Sequence, residues 1–493
     1  MRARRILCDQ NNEYINFGGW RLAEIAMGLF SSILKSFVSV RGRRRKRGSK
    51  RSSAAKVEGS MRPSEAEGAP KVLVASLFGS GGKEVSDRIS GLLGAEGTLS
   101  TFRLSKTLKQ NLRLAPLERL LLAAEEGRGW LKEETANLLI WGELEDMGTV
   151  ARIRFCTLGA PEDGVPGAYG LEDTLDLSVP WAEESSDIVR AIVLAAALPV
   201  NQGPRTEMAA RLKKLLASAT QACAAISVET PAEYRGRTHA ALGHAYATAF
   251  RFGQRKALPG ALKLYEVADG LLDSGAYPGS WALLQMHWGT VLEADARSRK
   301  DVAAMDVAIK RYQSVSDTLS RDANRFDWAR AQVRRAIALY KLASMVPEKT
   351  ATHLKASASA FEEALTIYDR SAMPHRWAEI MSHYGVTQMA LGGYGSSNAM
   401  LQQSITTFRK VLEVRKRDQQ PEQWAQTMNN LGAACFGLAK RTKEEHLLEE
   451  AARCFEGAGK NYRKIPGNRK RVRVIANNLA RVRAMLDAEL LNT

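Results

Sequence analysis

The sequence contains no stretch of about 20 uncharged apolar residues, so a membrane-spanning helix is not expected. Cysteine is scarce and scattered: Cys8, Cys156, Cys223, Cys435 and Cys454 include no C-x-x-C pair. That pattern suggests neither a zinc ribbon nor a disulfide framework, and it fits a reducing compartment. The seven histidines (His239, His244, His287, His353, His375, His383, His446) form no H-E-x-x-H, and His239 and His244, five apart, do not share a helix face. No metal site is therefore expected. There is no G-x-S-x-G elbow either, and the expectation is of no catalytic residues and no cofactor.

Acidic residues are nearly missing from the two ends. Residues 1–56 hold 14 Lys/Arg against 3 Asp/Glu, and residues 460–483 hold 9 Lys/Arg and no acid, whereas residues 57–459 sum to zero charge. The net charge of +18 is thus terminal. A neutral middle argues against nucleic acid wrapped along the whole surface, although basic arms bind phosphates.

What is present begins with residues 27–40, MGLFSSILKSFVSV. On a helical wheel Leu29, Phe30, Ile33, Leu34, Phe37 and Val38 share one face, opposite Ser31, Ser32, Lys35, Ser36 and Ser39. The run RGRRRKRGSKR follows, with Arg43, Arg44, Arg45, Lys46 and Arg47 at its centre. An amphipathic helix beside a polybasic run lies on anionic membrane, because apolar burial and charge attraction add. Residues 27–51 read as such a tether, the alternative being a solvated basic tail. Met27 is expected to be the true start of translation, which leaves residues 1–26 as a doubtful or unstructured start; residues 52–70 form a polar linker that closes the 27–70 segment.

Residues 72–89, VLVASLFGSGGKEVSDRI, place a glycine-rich turn and Lys83 before a helix. A Walker loop needs Gly six residues before the lysine and Ser or Thr after it; here Leu77 and Glu84 stand there. The dinucleotide fingerprint also fails, since Glu84 takes the place of its third glycine. A simple strand-to-helix turn is expected.

From residue 71, strands alternate with helices: KVLVASLF, TLSTFRLS, NLLIWGEL, TVARIRFCTL and TLDLSVP read as strands, KEVSDRISGLLG and LERLLLAAEEGRGWLKEETA as helices. The pattern predicts a small α/β domain over residues 71–200. The order, with Gly142 in the strand that pairs with an alternating one, resembles the amino-terminal domain of TolB-like proteins, which implies an assembly module without catalytic residues.

Beyond residue 205 the chain repeats itself. Trp281, Trp328, Trp377 and Trp424 are spaced 47, 49 and 47 residues apart, and a small residue follows each by eight: Gly289, Ala336, Gly385 and Gly432, with Gly243 in an earlier copy. Tyr265, Tyr312, Phe361, Phe408 and Phe455 keep the same period, each preceded by a small residue four earlier (Ala261, Ala308, Ser357, Ser404, Ala451). Small residues let two helices touch while the ring fills the gap to the neighbour, so each period describes a helical hairpin.

Leu242-Gly243, Tyr246, Leu431-Gly432 and the Ala-x-x-x-aromatic pairs resemble the tetratricopeptide repeat, and residues 421–432 are similar to the variant of bacterial multi-repeat proteins. The period of about 47 exceeds the family's 34, so helices or loops are longer. The expected fold is mainly α: an α-solenoid of about five hairpins and a terminal cap over residues 205–493, preceded by the α/β domain and the basic segment. The resemblance implies a groove lined by Arg330, Arg334, Ser382, His383, Asn429 and Asn430, with Asn477 and Asn478 in the last unit. The function expected is a non-catalytic scaffold or adaptor for a protein partner, cytoplasmic and peripheral on the inner membrane face. No small-molecule substrate is evident; the alternative is association with nucleic acid through the basic ends.

Overall fold

The computed structural model describes residues 16–17, 20–21, 69–95, 99–108, 113, 116–159, 164–181, 183–198 and 205–490. The tether residues Leu29, Phe30, Ile33, Leu34, Phe37, Arg43, Arg44, Arg45, Lys46 and Arg47 lie outside the described residues. Asn16–Phe17 and Trp20–Arg21 form a short antiparallel ladder. The chain divides into two compact units, Gly42–Arg334 and Met1–Arg41 with Arg335–Thr493.

In the first unit, β1 (Lys71–Val74), β2 (Ser100–Arg103), β3 (Leu138–Glu145), β4 (Val150–Thr157) and β5 (Thr174–Ser178) make one sheet in the order β2-β1-β3-β4-β5. The β1 strand is parallel to β2 and β3, whereas β4 and β5 run antiparallel to their neighbours. Strands β1 and β3 are apolar on both faces because both are covered. Val72, Val74, Leu138 and Ile140 pack with α1 (Gly82–Gly94), α3 (Ser186–Ala197), α4 (Arg205–Ala224) and α5 (Ala232–Arg251). Leu73, Leu139, Trp141 and Cys156 pack under α2 (Pro116–Glu133). The sheet therefore shares a core with the first helix of the repeat region, Ala241, Leu242, Ala245 and Ala249 of α5 lying in it.

The glycine turn before Lys83 has a packing explanation. A Cβ on Gly82 would sit 2.2 Å from the Leu77 carbonyl oxygen, and Ser86 Oγ accepts from Leu77 N and donates to the Gly82 carbonyl.

Three further pieces complete this unit's helices: α6 (Leu258–Leu271), α7 (Pro278–Arg299) and α8 (Val302–Thr318), followed by α9 (Arg325–Ala343), in which the division between units falls. The second unit contains α10 (Thr350–Leu365), α11 (Pro374–Tyr394), α12 (Asn398–Val414), α13 (Pro421–Thr442), α14 (Glu445–Tyr462) and α15 (Arg469–Leu490). The result is an α-solenoid of helical hairpins with a small five-stranded sheet before it. Among the described residues no helix is long and apolar enough to cross a membrane.

The two sequence registers meet in space. A Cβ placed on Gly243, Gly289, Gly385 or Gly432 would come within 2.5, 2.6, 2.8 or 3.1 Å of the ring of Tyr265, Tyr312, Phe408 or Phe455 respectively. All of these rings are fully buried. Where the partner small residue is serine it adds a bond: Ser357 Oγ donates to the Ala336 carbonyl and Ser404 Oγ to that of Gly385, both at 2.8 Å. The tryptophans stand near the start of the first helices. Arg321, Arg370 and Arg417, each seven residues earlier, lie over Trp328, Trp377 and Trp424 at 5.1 to 5.3 Å.

Candidate functional site

Residues 164–176 run from a turn at 164–167 through an irregular stretch into the start of β5, and they lie on the first helices of the first unit. Gly167 makes the approach possible: its φ is +72°, and a Cβ there would stand 2.4 Å from the His244 carbonyl oxygen and the Thr248 nitrogen. Its own carbonyl accepts from Thr248 Oγ1 at 2.8 Å, Tyr169 Oη donates to the Ala241 carbonyl at 2.9 Å, and Thr238 Oγ1 donates to the Asp176 carbonyl at 2.6 Å. Farther along the helices, Arg330 Nη1 reaches Glu172 at 2.8 Å, and Gly164 lies so close to Arg334 that a Cβ would meet its guanidinium at 2.1 Å. The run is thus held at main-chain and side-chain atoms by α5, α7 and α9.

Its acidic end builds the most concentrated chemistry in the unit. Asp173 Oδ1 is 3.0 Å from His287 Nε2 on α7 and 3.4 Å from His244 Nε2 on α5. Gly170 N donates to Asp173 Oδ2 at 2.5 Å, and His244 Nδ1 is 2.8 Å from the Tyr265 hydroxyl. The two imidazole centroids are 3.9 Å apart, and Tyr169 stands edge-on to His244 at 5.5 Å. Asp173 and His244 are buried; the His287 side chain keeps 15% of its surface.

Burial pushes the Asp173 carboxyl up, but the charge of His287 and hydrogen bonds from both histidines outweigh it and hold it well below its ordinary value. Burial, helped by repulsion from His287 and opposed by Asp173, brings His244 down to about 4. At neutral pH His244 is therefore an uncharged ligand-type imidazole. Asp173, His244 and His287 together offer three donor atoms within 4.8 Å of one another.

One hairpin farther on lies a second polar cluster. Arg334 Nη2 donates to Glu293 Oε2 at 2.6 Å and to the Tyr312 hydroxyl at 3.1 Å, while Tyr312 Oη donates to the same carboxylate at 3.1 Å. All three side chains are buried, and burial raises the Tyr312 hydroxyl above its usual range.

Of the residues that sequence places in the groove, Arg330 and Arg334 thus border the 164–176 run in the first unit. In the second unit Ser382 is buried, and His383 stacks on Phe361 with ring centroids 6.1 Å apart. Asn429 Nδ2 donates to Asn430 Oδ1 at 3.5 Å, and Asn429 Oδ1 and Asn430 Nδ2 are buried without a hydrogen bond among the described residues. Asn477 and Asn478 lie on α15, the first exposed and the second half-buried.

Sequence reasoning considered His239 with His244 and missed the true neighbours of His244. His239 instead sets its Nδ1 2.7 Å from the Arg235 carbonyl. A signal was available, since the repeated aromatic is Tyr at 265 and 312 but Phe at 361, 408 and 455. The two hydroxyls mark the two polar clusters.

No protein-family model matches the sequence, and a search of curated proteins returns no match. Among solved structures, a circular tandem repeat protein with novel repeat topology and enhanced subunit contact surfaces aligns at 13% identity and a TM-score of 0.30. The alignment covers 62% of this chain and 84% of that one. Similarity at this level carries no inference about fold or activity.

Proposed function

We propose that this chain is a non-catalytic scaffold whose first-helix faces receive segments of a partner protein. The observation that carries the reading is the intramolecular one: α5 and α9 hold residues 164–176 through bonds from Tyr169, Thr238 and Thr248 and the pair Arg330–Glu172, and α7 through His287 and Asp173. A face that holds one irregular stretch of chain through main-chain atoms and carboxylates is suited to bind another. In the second unit Ser382, His383, Asn429 and Asn430 stand in the matching registers; His383 and Asn429, which keep some surface, are the proposed contacts, with the buried Ser382 and Asn430 behind them. The resemblance to tetratricopeptide repeats supports the same reading. Residues 27–51 are proposed to bring the scaffold to an anionic membrane surface on the cytoplasmic side.

A photo-crosslinker at the partly exposed Asn429, with the exposed Thr406 of α12 as control, tests the scaffold in the native cell. The proposal expects one protein partner captured from position 429 alone and retained at high salt. Capture of nucleic acid instead, lost steeply with salt, would favour the basic ends as the working surface. Flotation of residues 27–493 and 57–493 with anionic and neutral vesicles tests the tether: only the longer form should float, and only with anionic lipid.

A further inference from the structure

We infer that Asp173, His244 and His287 form a binding site for one divalent transition-metal ion, with zinc the best fit. The donor atoms lie within 4.8 Å of one another and come from three separate elements: the 164–176 run, α5 and α7. In a tetrahedral zinc site with bonds of about 2.0–2.2 Å, neighbouring donors lie roughly 3.3 Å apart. The carboxylate-to-imidazole separations of 3.0 and 3.4 Å bracket that edge length. Two nitrogens and one oxygen are a donor set for zinc rather than for calcium or magnesium, which take oxygen ligands.

The surroundings support an ion as well. A buried carboxylate is normally paired with a fixed cation or bound to a metal. Among the described residues the ion-pair partners of Asp173 are these two imidazoles, with no lysine or arginine among them. Its second oxygen is fixed by Gly170 N, and the Tyr265 hydroxyl is placed to accept from His244 Nδ1–H, which directs the Nε2 lone pair at the ion. Such outer partners orient metal ligands and fix their tautomer. Of the three donors His287 alone keeps some solvent contact, 15% of its side chain, so solvent reaches the cluster from its side. Two imidazoles on one zinc stand farther apart than 3.9 Å, so loading separates the rings. Bound there, the ion cross-links the 164–176 run to α5 and α7. This inference rests on the geometry inside the first unit and not on the scaffold reading, so the two fail separately.

The test uses the full chain without a polyhistidine tag, stripped with a chelator. Zinc uptake is measured by competition with a chromophoric chelator, and cobalt(II) is added in parallel to read the site's geometry from its visible bands. One ion per chain and tetrahedral cobalt bands are expected. Asp173→Asn and His287→Ala should each abolish the bands and weaken zinc by more than about a hundredfold, and Tyr265→Phe by roughly 10- to 100-fold. Circular dichroism checks that the variants fold. A wild-type hydrogen-exchange measurement needs no variant: zinc should slow exchange across residues 164–173. Failure of the wild type to take up zinc at micromolar concentration overturns the inference. So does uptake unchanged in both Asp173→Asn and His287→Ala.

Discussion

A β-carbon on Gly289 would stand 2.6 Å from Cε1 of Tyr312, whereas one on Gly432 would stand 3.1 Å from Cε1 of Phe455. Both rings are fully buried, so a large shift of either meets packed neighbours while one of a few tenths of an ångström is tolerated. Gly289→Ala should therefore overpack the hairpin and cost about 1–3 kcal/mol. Gly432→Ala needs only a small adjustment and gains helix propensity worth just under about 1 kcal/mol, so its net effect should be close to zero. Urea denaturation of the two variants beside the wild type checks the order.

Gly167 joins close approach to a left-handed backbone. Gly167→Ala places a methyl against the α5 main chain at 2.4 Å, at φ +72°. Backbone strain of roughly 1–2 kcal/mol adds to overpacking of about 1–3 kcal/mol. The expected result is release of residues 164–176 from α5, read as faster hydrogen exchange at those residues.

Arg334 and Glu293 are a buried ion pair. Arg334→Met leaves the carboxylate buried with the Tyr312 hydroxyl and should cost about 3–5 kcal/mol. Adding Glu293→Gln removes the stranded charge, so the double variant should be more stable than Arg334→Met alone. A double-mutant cycle by denaturation measures the coupling.

His383 gives the second unit an acid sensitivity. Burial lowers it to about 4; Glu379 opposes, and Arg415, Lys341 and Arg376 add to the lowering. Above its ordinary value of 6.5 the ring is neutral in both folded and unfolded chains and contributes no pH dependence. As pH falls from there toward 4, the unfolded chain binds a proton that the native ring refuses, so stability declines across that window. With part of the ring exposed, the loss is about 2 kcal/mol. His383→Gln should be flatter than the wild type between pH 7 and pH 4 in urea titrations.

The repeats were legible because each hairpin writes the same contact into the sequence: Gly289 with Tyr312 and Gly385 with Phe408 are one packing solution used at a fixed period. The five strands were legible from their apolar runs and from the alternation in residues 150–157, where Ala151, Ile153 and Phe155 face the core. The meeting of Asp173, His244 and His287 was not. A period reports what every hairpin shares, and this cluster occurs once, between helices and a segment outside the array. Its trace is the two hydroxyls of Tyr265 and Tyr312 in a register otherwise filled by Phe. Arg330 and Arg334 were singled out as side chains that face a ligand, and the segment they meet belongs to the same chain.

The core shared by the sheet and α5 has a consequence for assembly. A stack of helical hairpins ends in a face shaped to receive another hairpin, and two copies with bare ends can add head to tail without limit. Here Val72, Ile140, Ile153 and Leu175 of the sheet share a core with Leu242 and Ala249, together with α3 and α4, which pack between the sheet and α5. The start of the array is thus covered by the sheet and its helices, and the apolar side chains of α5 that a bare end would present lie inside a core.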